Sequence, residues 1–149
     1  MATTTRVPMA LKAGGGEQYA FFGTTATIKV SAEQTGGEMS LVEVDVPPNF
    51  GVPLHVHYTE DETFWMLEGR ATFEVGDQRI EAGAGDCLFG PRDIPHRFGT
   101  GEEGARMLFL LTPGGFDEFV REASDPANED RIPELVEKYG GGLLEPPHA

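Results

Sequence analysis

From Tyr19 onward the chain alternates short apolar, β-branched runs with turn signals. Thr24-Thr25-Ala26-Thr27-Ile28-Lys29-Val30 is rich in β-branched residues and stops near Gly36-Gly37, as a strand and its turn would. Between Met39 and Val46, apolar Met39, Leu41 (with Val42), Val44 and Val46 alternate with Ser40, Glu43 and Asp45 until Pro47-Pro48 ends the run. Period-two patterning of this kind predicts a strand with one buried face. Similar runs predict strands over residues 54–57, 62–67, 71–75, 78–81, 86–89, 94–98 and 106–112, with Glu68-Gly69 and Gly76-Asp77 read as hairpin connections. About ten strands with a turn roughly every 5–12 residues predict an antiparallel sandwich or small barrel.

The C-terminal part changes period. Phe116, Phe119 and Val120 fall at i, i+3 and i+4, and Ile132, Leu135, Val136 and Tyr139 at i, i+3, i+4 and i+7. Two short amphipathic helices outside the barrel are expected, the second capped by Asp130 and ended by Gly140-Gly141-Gly142. The resulting division is an N-terminal flexible arm over residues 1–17, a barrel over 18–113, and a helical extension with a tail over 114–149, loose from Glu145.

Composition narrows the function classes. The 149 residues suit a single domain with one core, and 39% hydrophobic content excludes a wholly disordered chain. Eleven Lys and Arg against 25 Asp and Glu leave a formal charge of −14. That balance opposes nucleic-acid binding, which needs clustered cations, and docking on an anionic membrane. The longest uninterrupted apolar run, Met107 to Leu111, is too short to cross a bilayer. The N-terminus carries no apolar stretch of the secretory kind, so a cytoplasmic protein is expected. The single cysteine, Cys87, excludes an intramolecular disulfide and is expected in the core.

The candidate chemistry lies in the histidines. Three of the four are His55, His57 and His96. His55 and His57 stand two apart on a predicted strand and leave the same face. The short segment from Tyr58 to Asp61 returns the chain to a strand on which Glu62, Phe64 and Met66 share a face. Ile94, His96 and Phe98 share a face on another strand, so His96 can approach from the opposite sheet. Taken singly, each residue has an ordinary explanation: a polar pair, a strand-start carboxylate, a core histidine. Jointly, three imidazoles and a carboxylate suit a borderline divalent ion such as iron, manganese, nickel, cobalt, copper or zinc. Four such ligands in an octahedral field leave two positions open, as a catalytic site requires.

Gly51-x3-His55-x-His57-x4-Glu62-x6-Gly69 resembles the first motif of the cupin superfamily, and Gly85-x5-Pro91-x-Asp93-x2-His96-x3-Thr100 resembles the second. Fifteen residues separate Gly69 from Gly85, similar to the short spacing of microbial cupins. The first glycine stands closer to His55 than in the family pattern, Asp93 replaces a glycine and Thr100 an asparagine. None of these departures touches a ligand. The resemblance implies an all-β double-stranded β-helix, or jelly-roll, barrel with one divalent transition-metal ion held by His55, His57, Glu62 and His96.

Phe64, Met66 and Phe98 share faces with these ligands, and Phe73, Phe89 and Phe109 are further candidates for the substrate pocket. An aromatic lining suits a planar, partly aromatic substrate. Trp65 points the other way and is expected outside or at a subunit contact, so a homodimer is expected. Arg92 and Arg97 read as solvated, and His148 as a silent tail residue. The leading functional expectation is a metal-dependent dioxygenase of quercetinase type acting on an aromatic or enol-type small molecule, with Glu62 as ligand or general base. An oxygen-independent isomerase, cyclase or lyase is the first alternative, and a non-enzymatic small-molecule-binding module the second.

Overall fold

The computed structural model describes residues 6–145. Nine strands among them are joined in one curled, wholly antiparallel sheet. In chain order they are β1 (Glu17–Phe21), β2 (Thr24–Val30), β3 (Ser40–Val46), β4 (His55–His57), β5 (Asp61–Val75), β6 (Gln78–Gly83), β7 (Cys87–Gly90), β8 (His96–Thr112) and β9 (Gly141–Leu143). Helices α1 (Phe116–Ala123) and α2 (Ile132–Lys138) fall between β8 and β9. The architecture is mostly β, as expected. No helix among the described residues is long and apolar enough to cross a membrane.

The long pair β5–β8 is the axis of the barrel. Its register runs from Asp61↔Thr112 to Val75↔His96, with irregularities at Met66/Glu68 and Gly69/Ala71. The expected hairpin at Glu68-Gly69 is therefore a bulge inside one 15-residue strand, and the two expected strands over 94–98 and 106–112 are likewise one. Bulges let a strand bend without losing its pairing on either side. Gly69 has φ +76°, and a Cβ there would lie 2.1 Å from the Gly104 carbonyl oxygen. Only a residue without a side chain lets the two strands cross so closely.

Alternation then fills the interior. Val42, Val44 and Val46 of β3, Phe64, Met66 and Phe73 of β5, and Met107, Phe109 and Leu111 of β8 are all buried in one cluster. The apolar run at residues 107–111 is thus split between two faces, with Leu108 and Leu110 half-buried outside. Cys87 is exposed, contrary to the core position expected for it, because Leu88 and Gly90 take the inward places on β7.

The extension is held to the barrel by a buried carboxylate. Asp117 accepts hydrogen bonds from Ala32 N at 3.2 Å, Ser40 Oγ at 2.6 Å and Arg121 Nη1 at 3.1 Å. Helix α2 begins after Arg131 with no side-chain cap, so Asp130 does not cap it. Helix α2 ends at Lys138, just before Gly140-Gly141-Gly142 as expected, and the last two of these glycines enter β9. Glu145 is tied down, accepting from Leu54 N at 3.3 Å and pairing with Arg97. The expectations for residues 1–5 and for His148 lie outside the described residues.

Replacing Gly69 by Ala is expected to destabilise the fold by about 3 kcal/mol through the carbonyl clash and the left-handed backbone. A urea titration should show a lower midpoint with an unchanged slope.

Candidate metal centre

Three strands deliver the four ligands. β4 contributes His55 and His57 on one face with Val56 buried behind them. β5 brings in Glu62 near its start, and β8 opens with His96, which pairs directly with His55. Glu62 and His96 are buried. One donor atom from each of the four lies within 4.8 Å of all the others. The imidazole centroids are separated by 4.4 Å for His55–His96 and by 5.2 Å for each of the other two pairs.

The second nitrogen of each ring has an acceptor. His55 Nδ1 donates to the Pro53 carbonyl at 2.8 Å, and His96 Nδ1 faces the Ile94 carbonyl at 3.3 Å. His57 Nδ1 lies 3.0 Å from Oε1 of Glu60, itself a buried carboxylate. These contacts put the protons on Nδ1 and leave the Nε2 atoms for the shared space, the arrangement in which an outer partner orients a ligating imidazole. Glu62 Oε2 lies 2.9 Å from His57 Nε2 and 3.3 Å from His96 Nε2. Neither contact has hydrogen-bond alignment, and Glu62 Oε2 and His96 Nε2 are left without a partner. Buried polar atoms without partners are costly. Here they aim at one point, and the donor set fits a divalent transition ion placed there.

The protonation states of the metal-free cluster follow from burial and mutual charge. Burial, reinforced by the two neighbouring imidazoles, pushes His55 down to about 4. Burial also pulls on His57, but the Glu62 carboxylate and the contact with Glu60 outweigh it and hold that ring protonated well above the ordinary imidazole range. Burial would raise Glu62, yet the His57 charge and its imidazole contacts take it far below the usual carboxylate range. His57 and Glu62 therefore rest as an imidazolium–carboxylate pair beside the neutral ring of His55.

A cavity of about 730 Å³ opens above the cluster. Of the six residues expected in a substrate pocket, Phe64, Phe98 and Phe109 line it. Met66 and Phe73 are fully buried in the core and take no part in the lining. Phe89 requires correction: it is 60% exposed on the outer face, because the alternation of β7 that turns Leu88 inward turns Phe89 out. Further parts of the wall come from residues not expected in a pocket, among them Phe21 and Phe22 of the first hairpin and Phe119, Val136 and Tyr139 of the extension. The helical spacing of Phe119, Val136 and Tyr139 is visible in the sequence, but nothing in it says that these faces cover a cavity rather than a wall. Glu60 was also missed, although its place three residues after His57 was the available signal. No Lys or Arg lines the cavity among the described residues.

Residues 42–111 match the cupin domain family. Quercetin 2,3-dioxygenase of Bacillus subtilis is 29% identical over 120 residues, covering 80% of this chain and 36% of the relative. The chain spans between 36% and 57% of the length of the curated relatives it matches. Among solved structures, a predicted oxalate decarboxylase from Thermotoga maritima superposes with a TM-score of 0.64 at 20% identity, covering 70% of this chain and 99% of that one. The cupin domain of Schizosaccharomyces pombe Cnp3 gives a TM-score of 0.61 at 13% identity, covering 80% and 84%. The family match and these folds agree with the bent β5–β8 barrel, and residues 42–111 form a cupin domain.

Proposed function

We propose that this cupin is a metal-dependent dioxygenase acting on an uncharged aromatic or enol-type small molecule, with His55, His57, Glu62 and His96 as the metal ligands. The observation that carries the reading is the placement of this cluster on an aromatic cavity lined by no Lys or Arg among the described residues. The quercetin dioxygenase relative supports it from the side of sequence. A divalent transition ion in the cluster would polarise a substrate enol or hydroxyl oxygen and supply a site for dioxygen.

The chain's own residues do the rest. Glu62 Oε2, buried and ionised at the point on which the imidazoles converge, is placed beside a substrate hydroxyl as metal ligand or proton acceptor. Glu60 holds His57 by its Nδ1 and so fixes the ring plane. Phe64, Phe98 and Phe109 pack around the substrate ring and keep water from the reacting atoms. With no Lys or Arg outside the cluster among the described residues, the cavity selects against substrates with a second anionic group, since a buried carboxylate or phosphate away from the cluster would go unpaired.

The same cluster without oxygen would serve an isomerase, cyclase or lyase, and the assay separates the two. Metal-loaded protein is expected to consume oxygen with a flavonol, and His55→Ala to lose both the metal, by mass spectrometry, and the uptake. Turnover that persists under strict anaerobiosis would replace the dioxygenase reading with the oxygen-independent one. Tight binding of the flavonol without turnover in any metal form would favour a binding module.

Glu60→Ala is expected to weaken metal affinity by about 10–100-fold in competition with a chelating dye, because His57 loses its orienting partner. Unchanged affinity would remove Glu60 from the site.

Two copies are proposed to associate through the outer sheet face, where Trp65 is 48% exposed beside Leu108 and Cys87. Light scattering should give a dimer mass in wild type and a lower mass in Trp65→Glu. A monomeric wild type contradicts this.

A further inference from the structure

The hairpin joining β1 to β2 carries an aromatic residue where its backbone is least suited to one. Phe21 pairs with Thr24, so the turn has only two residues, Phe22 and Gly23. Both have positive φ, 49° and 82°, the signature of a type I′ turn. Asn, Asp or Gly normally fills the first position, because a bulky side chain there is strained. Gly23 is needed at the second: a Cβ would meet the Phe50 ring at 2.9 Å.

Folding does not account for the aromatic ring. Phe22 is 45% exposed. Its neighbours are Phe21, at a ring separation of 4.6 Å, and Phe119 of α1, at 6.3 Å. Yet the same residue lines the cavity above the metal cluster. The exposed members of that lining mark where the cavity meets solvent: Phe22, Gly23 and Gly51 on the barrel side, Glu129 and Pro133 on the side of the extension. Phe22 is the one aromatic residue among them. A strained conformation kept at the rim of a site, with an open ring face, belongs to ligand contact rather than to packing.

We propose that Phe22 is a specificity-determining residue at the mouth of the cavity, holding a flat, uncharged aromatic ligand against its exposed ring. The proposal rests on the aromatic-ligand reading of the cavity above, but needs neither metal nor oxygen. Selection follows from the same geometry. A ring that stacks at the rim gains contact on Phe22 and Phe119. An aliphatic or strongly hydrated ligand gains little there.

The test uses the neutral fluorescent probe N-phenyl-1-naphthylamine on full-length protein, with every variant made in a Trp65→Gln background to reduce binding on the outer sheet face. Phe22→Asn, which suits the turn, is expected to keep or raise the melting temperature and to weaken the probe's Kd by roughly fivefold or more. Phe22→Tyr should stay within about twofold of the parent, since its ring is retained. Unchanged affinity in Phe22→Asn overturns the proposal, whatever the melting temperature does. So does an equal loss in Phe22→Tyr, or a parent protein that does not bind the probe. Failure of oxygen uptake with the affinity pattern intact would sink the dioxygenase reading alone. Uptake with no effect of Phe22→Asn on probe affinity would sink this proposal alone.

Discussion

A carboxylate sealed from water needs countercharge, and the buried Glu62 sets that requirement for the whole barrel mouth. Its two nearest nitrogens, on His57 and His96, come from different strands. Meeting the requirement therefore needs β4, β5 and β8 to be correctly registered at once. In the metal-free protein an imidazolium at His57 answers the charge. A divalent ion answers it better, because it also engages the lone pairs of His55 and His96 that no proton on His57 can satisfy. The site thus resembles one shaped around a cation more than one shaped around an ion pair.

The weakest part of that arrangement is β4. It has three residues and meets β8 through His55↔His96. Its other edge is completed by β9, with His55↔Leu143, Val56↔Gly142 and His57↔Gly141 paired. A strand this short has little stability of its own. The extension after the barrel therefore serves two ends: its helices wall the cavity, and its last strand braces the segment bearing two of the ligands. Asp117 at one end and Glu145 at the other fasten it to the barrel.

Period-two alternation made the ligands legible, since His55 and His57, or Glu62 and Phe64, must share a face on any regular strand. The same rule placed Trp65 outside. It failed where it was not applied: counting along β7 from Leu88 would have turned Phe89 outward. Gly69 was read as a turn because glycine ends strands more often than it bends them, and only the approach of Gly104 distinguishes the two. Glu60 and β9 were hidden for another reason. A second carboxylate in Thr59-Glu60-Asp61-Glu62 resembles loop chemistry, and Gly141-Gly142-Leu143 has no strand propensity. Glu60 acquires its role across a turn, where only its spacing from His57 hints at it, and β9 from a partner strand distant in sequence that no local pattern encodes.

Charge gives the last constraint on what the cavity accepts. The chain carries −14 overall, and the cavity lining adds Glu60, Glu62 and Glu129 without a Lys or Arg. A strongly anionic ligand would be repelled on approach and left unpaired inside, except for whatever single oxygen reaches the ion. A cationic ligand would find carboxylates but would compete poorly with a metal for Glu62. Under the proposed function, what remains is a neutral molecule with a weakly acidic oxygen, which would enter uncharged and give up its proton only beside the cluster. Deprotonation would then be confined to the one place where positive charge awaits the product oxyanion, and on that reading recognition and activation would depend on the same four side chains.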